Sequence, residues 1–354
     1  MTALRSGIIG GGFMAEVHAH AVRAAGGVVT HVAGRSPEAA DESRERLHAT
    51  HAAASVEELV HCDDVDLVHV CTPNALHAEQ AGLVLAAGKP VICEKPLATS
   101  PKDAQQLAWS AAQAGVLATV PFVYRYYPAA REARARIAAN GSDPLWLLHG
   151  SYLQDWLSDG AETNWRVDSA HGGQSRAFGD IGVHWCDLME FVTGHRIIRL
   201  SARLAHAFGG RSTEDGALVQ FETDRGAAGS VTVSQVSPGR KNRLWFSFDG
   251  RDAGYVFDQE QPESLWIGGR EDNRLVPRGS QAMSPGAGRT SRLPAGHPQG
   301  YQDCFNAYLT DVHTAVTGSA VDGLPTFEDG LRAATLTAAV LESAAHDSWV
   351  PVDA

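Results

Sequence analysis

Over the first 120 residues, short apolar runs alternate with longer stretches of helical period. The runs "SGIIGG", "VVTHVAG", "DLVHVCT", "KPVICEK" and "LATVPF" predict buried strands, and 13–25, 37–48, 75–87 and 101–114 predict helices between them. Continuous apolar strands alternating with helices imply a parallel sheet covered on both faces. The punctuation agrees. Ser36-Pro37 and Ser100-Pro101 put serine at N-cap and proline at N1. Ser55 to Glu58 has the form of a capping box, and Gly88 stands just past a helix end.

After about residue 122 the period changes. A helix over 128–139 leads into alternating strands near 145–154, 197–208, 215–223, 227–236, 243–249, 253–258 and 263–268. Turns such as "TDRGAA" and "FDGRDAG" join several of them, which predicts an antiparallel meander. The helix "FGDIGVHWCDLMEFVTG" interrupts it, and helices near 300–316 and 327–345 close the chain. Residues 270–298 are rich in Gly, Pro, Ser and Arg and predict a long structureless loop, either mobile, in contact with another subunit, or covering a substrate. Within it "LVPRGS" has the form of a thrombin site, which a mobile loop would expose. With 354 residues, two domains are expected. Residues 1–122 are expected to form a doubly wound α/β domain, and 123–354 an α/β domain on a mainly antiparallel open sheet.

The net charge of -12 argues against a nucleic-acid binder and against an anionic membrane surface. No apolar run approaches a membrane span, and "MTALRSGIIGGG" has no apolar signal core, so a cytoplasmic location is expected. The five cysteines form no C-x-x-C pair, which fits a reduced compartment.

The first strand–helix unit carries G-x-G-x-x-A at Gly10, Gly12 and Ala15, with Phe13 and Met14 inside the motif. Gly10 allows a tight turn, Gly12 lets backbone approach a pyrophosphate, and Ala15 lets helix and strand pack closely. The helix N-terminus adds N–H donors and partial positive charge. The second strand ends in Gly34-Arg35-Ser36 rather than the acidic residue that holds a ribose 2′-hydroxyl. Arg35 and Ser36 suit a 2′-phosphate, so NADP is expected to be favoured over NAD.

Three stretches together resemble the glucose–fructose oxidoreductase / inositol dehydrogenase / rhizopine-catabolism (Gfo/Idh/MocA) family: G-G-G-F-M-A, "CTPNALHAEQAGLVLAAGKPVICEKPLA" (71–98) and "GDIGVHWCDLMEFVTG" (179–194). The likeness spans nearly the whole chain, and Glu94-Lys95-Pro96 is its most specific element. It implies hydride transfer between a nicotinamide and a sugar, inositol or related polyol. It implies a cis Lys95–Pro96 peptide and a catalytic set of Lys95, Asp180 and His184. Lysine there favours a developing alkoxide, and histidine titrates where a general base is needed. Asp180 and His184, four apart, share a helix face. His184, Cys186 and Asp187 superficially suggest a metal, but their spacing does not converge, and no metal is expected.

The resemblance also puts Thr72, Pro73 and Asn74 beside the cofactor, with His77 bracing that turn and Glu94 near it. Tyr124 and Arg125 are candidate contacts for cofactor or substrate, as are Trp156, Trp165 and Arg166 in "QDW" and "NWR", and Tyr301. Relatives suggest a homodimer or homotetramer formed through the open sheet face. Two other functions share this fold: a non-catalytic dinucleotide sensor, like the galactose-pathway repressor of yeasts, and a glycosidase with tightly held NAD.

Overall fold

The computed structural model describes residues 3–353 apart from Ser142 and Thr163. They fall into two compact units: residues up to 123 together with 302–334, and residues 124–301 together with those from 335 onward.

In the first unit, β1 (Arg5–Ile9), β2 (Val28–Ala33), β3 (His51–Ala52), β4 (Leu67–Val70), β5 (Val91–Cys93) and β6 (Ala118–Thr119) form one parallel sheet. Its order, β3-β2-β1-β4-β5-β6, reverses direction at β1. That switch point is where doubly wound sheets receive ligands, beyond the carboxyl ends of the strands. Ile8, Val32, Val68, Val70 and Ile92 are fully buried, as strands covered on both faces require. The helices are α1 (Phe13–Ala24), α2 (Pro37–Leu47), α3 (Val56–His61), α4 (His77–Ala86) and α5 (Pro101–Ala114). The serine caps form as expected: Ser36, Ser55 and Ser100 accept from the N–H groups of Ala39, Glu58 and Asp103.

The second unit holds α6 (Pro128–Ala139), β7 (Leu147–Leu153), α7 (Ser169–Gly172) and α8 (Val183–Thr193). Then follow β8 (Ile197–Ala205), β9 (Gly216–Thr223), β10 (Ala228–Ser234), β11 (Arg243–Asp249), β12 (Gly254–Asp258), β13 (Ser264–Gly268) and β14 (Asn273–Pro277). With β15 (Val350–Pro351) they make a nine-stranded sheet, β14-β13-β12-β11-β7-β10-β9-β8-β15. Its pairings are antiparallel except β7 with β10, which run parallel. Phe246 and Phe248 stack 4.1 Å apart within its core.

Residues 270–298 are not a structureless loop. They contain β14 and α9 (Pro285–Gly288), and Arg278 is buried in a cage of acceptors from Glu263, Ser291, Gln299 and the Leu293 carbonyl. Composition hid this order because a buried guanidinium, not an apolar period, organises the segment. The last helices are α10 (Tyr301–Val316) and α11 (Phe327–His346). Among the described residues no helix is long and apolar enough to cross a membrane. All five cysteines are free.

Candidate functional site

Gly10 closes the turn after β1 at φ +104, and a Cβ there would lie 2.7 Å from the Cys71 carbonyl. Only glycine fits both constraints. Gly12 caps α1 without a side-chain bond, and nothing lies within 4 Å of where its Cβ would be. The first turn of α1, with Phe13 exposed and Ala15 buried, therefore faces open space with N–H donors at its start, as a pyrophosphate needs. Gly11, which sequence reasoning passed over, is also closely packed: a Cβ would meet Ser43 Oγ at 2.0 Å. Arg46 bonds the Gly11 carbonyl and pairs with Glu16 at 3.0 Å, tying α2 to this turn.

Gly34 has a steric cause. A Cβ there would sit 2.7 Å from the Ala40 nitrogen, so the start of α2 leaves no room for the usual acidic side chain. Arg35 beside it is exposed. Ser36 is committed to capping α2, and its hydrogen bond holds the Glu38 carboxyl below the ordinary glutamate range.

The turns after β4 and β5 are stapled together. His77 Nδ1 lies 2.7 Å from the Pro96 carbonyl and Nε2 lies 2.9 Å from the Thr72 carbonyl. Burial pushes the His77 pKa down, against the two carbonyls, which raise it. The Thr72 hydroxyl bonds Gln80 at 2.5 Å, and Pro73 and Asn74 lead into a 3₁₀ turn. The Lys95–Pro96 peptide is cis.

Glu94 is nearly buried and receives the Lys95 N–H at 3.1 Å and His18 Nε2 at 3.0 Å. His18 Nδ1 meets His69 Nδ1 at 2.9 Å, and His69 Nε2 meets Ser6 Oγ at 3.2 Å. Burial pushes the Glu94 carboxyl up, but the His18 bond and the nearby Lys95 and His77 more than offset it, leaving its pKa lowered. Burial drives His69 well below the ordinary histidine value.

In the second unit Asp180 lies in a π turn, Phe178–Gly182, that feeds α8, and His184 lies in the first turn of α8. The π turn has local causes. Glu214 accepts from the N–H groups of Arg176 and Phe178, and Ser175 Oγ accepts from that of Gly179. A Cβ at Gly182 would strike the Phe178 ring at 2.5 Å. Such irregular helical turns recur at functional positions.

Around His184 the structure gathers Tyr124 edge-on at 5.1 Å and Tyr152 at 6.4 Å, with Tyr301 6.2 Å from Tyr124. The Tyr124 and Tyr152 hydroxyls bond each other. Asn242 Oδ1 accepts from Tyr152 and Gln154, both at 2.7 Å, and Trp156 Nε1 donates to Gln154 at 2.9 Å. Burial, then Tyr124, pushes the Tyr152 hydroxyl well above the ordinary phenol value, so it stays protonated. Arg166 stacks on Trp165 at 4.3 Å and approaches Asp180 Oδ1 to 3.8 Å.

Arg125 is engaged by an ion pair. It pairs bidentately with Asp187 and covers Phe191. Sequence reasoning missed Tyr152, Gln235 and Asn242. Each is one polar residue in or beside a strand that already carries others, so no sequence signal marks them.

Residues 4–122 match the family model described as "Oxidoreductase family, NAD-binding Rossmann fold", and 130–256 match the GFO/IDH/MocA C-terminal domain. The chain is 29% identical to levoglucosan dehydrogenase of Pseudarthrobacter phenanthrenivorans, covering 99% of each. It is 30% identical to 1,5-anhydro-D-fructose reductase of Ensifer adhaerens, covering 96% of each. A solved levoglucosan dehydrogenase in complex with NADH and levoglucosan superposes with a TM-score of 0.92 at 28% identity, over 99% of this chain and 100% of that one.

Proposed function

The chain belongs to the Gfo/Idh/MocA family of NAD(P)-dependent oxidoreductases, and we propose that it moves a hydride between nicotinamide C4 and a secondary alcohol or carbonyl carbon of a sugar, inositol or related polyol. The observation that supports this most directly is Asp180 and His184 set among the hydroxyls and amides of Tyr124, Tyr152, Gln154 and Asn242. Those groups suit a polyol, which needs many paired donors and acceptors. Both relatives above are named for anhydrosugars, so anhydrosugars head the substrate panel.

The open start of α1 beside Gly12 fits a dinucleotide pyrophosphate, with the N–H groups of Phe13, Met14 and Ala15 as its holders. When bound, the nicotinamide supplies the hydride acceptor or donor. Lys95, after β5, holds the substrate hydroxyl and favours its alkoxide. His184 exchanges the hydroxyl proton, and Asp180 orients His184. Thr72, Pro73 and Asn74 border the dinucleotide, with His77 and Glu94 shaping that rim. Arg166, Trp165, Trp156 and Tyr301 border the substrate. Exposed Arg35, beside a Gly34 with no room for a carboxylate, supports a preference for NADP over NAD, with Glu38 the opposing charge. Leu218, Trp266 and Leu275, exposed on the nine-stranded sheet, support a dimer or tetramer through that sheet. Sedimentation at micromolar concentration is expected to show an oligomer, and a lone monomer would refute that assembly.

The test is reduction of NADP⁺ and, separately, NAD⁺ over levoglucosan, other sugars and inositols. Turnover is expected with at least one of them, faster per KM with NADP⁺. Lys95→Ala is expected to lower kcat by about 10²-fold or more. Full activity in Lys95→Ala would remove the proposed chemistry. Arg35→Ala is expected to weaken NADPH and spare NADH. Equal losses for both would remove the phosphate contact.

A further inference from the structure

We propose that Gln235 is a positioning residue for Asp180: buried Arg176 fixes its amide so that the NH₂ donates to one carboxylate oxygen and sets the direction of the other. This rests on the part given to Asp180 above.

The orientation follows from donor counting. A guanidinium has five donors and no acceptor. Arg176 Nη1 lies 3.1 Å from Gln235 Oε1, so the amide oxygen must face it. The amide NH₂ then faces Asp180 Oδ2, at 2.7 Å. The reverse flip would set N–H against N–H at one end and oxygen against carboxylate at the other.

Neither member can drift. The Arg176 side chain is 0% exposed, and it also bonds Thr213 Oγ1 at 3.2 Å and Asp215 Oδ1. Asp215 in turn takes Arg211 at 2.7 Å and the N–H groups of Ala207 and Phe208. The Gln235 main chain donates to the Asp215 carbonyl at 3.0 Å and accepts from Leu157 at 3.2 Å. The Arg176 carbonyl accepts the Asp180 N–H at 2.8 Å. Arg176 thus fixes Asp180 twice, through the π turn and through the amide.

Only glutamine meets both demands. An apolar residue leaves a buried guanidinium one acceptor short. Glutamate satisfies Arg176 but turns a like charge on Asp180. Gln235→Glu is therefore the informative variant: its shape is kept, its bond to Arg176 is kept, and its donor to Asp180 is lost.

The experiment has two arms on the full-length protein. Steady-state kinetics on a substrate that the panel above turns over should show kcat lowered about 10- to 100-fold in Gln235→Glu, with the dinucleotide KM within about twofold of native. Thermal unfolding should show a larger fall in Tm for Gln235→Glu in the native background than in Asp180→Asn, whose amide can donate to the introduced carboxylate. An unchanged kcat overturns the proposal. So does a kcat loss matched by lost dinucleotide binding, or an equal Tm fall in both backgrounds. A native protein silent on every substrate would strike down the hydride chemistry, and the Tm comparison would still decide the Gln235–Asp180 bond.

Discussion

His18 shows how one side chain can hold a site it does not enter. It is fully buried and links Glu94 to His69. One arrangement of protons satisfies the chain without a charged ring: Ser6 donates to His69, His69 Nδ1–H donates to His18, and His18 Nε2–H donates to Glu94. His18→Ala would leave a nearly buried carboxylate and a buried imidazole each short of a partner. The expected loss is about 2–4 kcal/mol in urea unfolding. A loss under about 0.5 kcal/mol, the range of surface substitutions, would mean that water replaces the ring at no cost. Lys95, Asp180 and His184 were candidates from the sequence because each sits inside a contiguous stretch that carries the family resemblance. His18 and His69 were not: they are 51 positions apart and meet only through sheet topology. Gln235 was hidden likewise, 55 positions from Asp180.

At the scale of elements, alternating periods and serine caps located most helices and strands, because burial and orphan N–H groups act on neighbours in sequence. The parallel pairing of β7 with β10 was beyond such reasoning, since periodicity says which face is buried and not which strand lies alongside. The segment 270–298 failed for another reason. Its order comes from Arg278, 2% exposed, whose Nε donates to Glu263 at 2.9 Å and whose Nη1 donates to Gln299 at 2.9 Å. Glu263 also accepts the Gln299 N–H at 2.9 Å, so one carboxylate closes both ends of the segment. Arg278 is the arginine of "LVPRGS", and a protease must draw that side chain into its own pocket. Prolonged thrombin treatment is therefore expected to leave the native chain intact on a denaturing gel, while Glu263→Ala, which unlatches the cage, is cut after Arg278. Rapid cutting of the native chain would show that the cage opens freely.

Across the whole molecule, buried histidines set the acid limit of stability. Burial lowers the pKa of His31, His69, His77, His195 and His313 below the ordinary histidine value of about 6.5. Below that value the unfolded chain binds protons that the native chain refuses. Stability is therefore present above about pH 6.5 and is lost as pH falls toward each native pKa, by up to about 1.4 kcal/mol per pH unit for each group. Lowered carboxylates such as Glu94 and Asp66 act in the same direction, in a window below their ordinary values of 4.5 and 3.8. Buried Cys71, Cys93 and Tyr152, all raised, oppose the native state only above about pH 9. The five histidines are unevenly shared. Four lie in the first unit and only His195 in the second, whereas of eight tryptophans only Trp109 lies in the first. Tryptophan fluorescence thus reports mainly the second unit, and backbone circular dichroism reports both. In a titration of the cofactor-free protein from pH 8 to pH 5 at fixed sub-denaturing urea, dichroism is expected to fall before fluorescence changes. Coincident transitions would mean that the units unfold as one, and a flat response across that range would mean that these histidines accept protons without unfolding the chain.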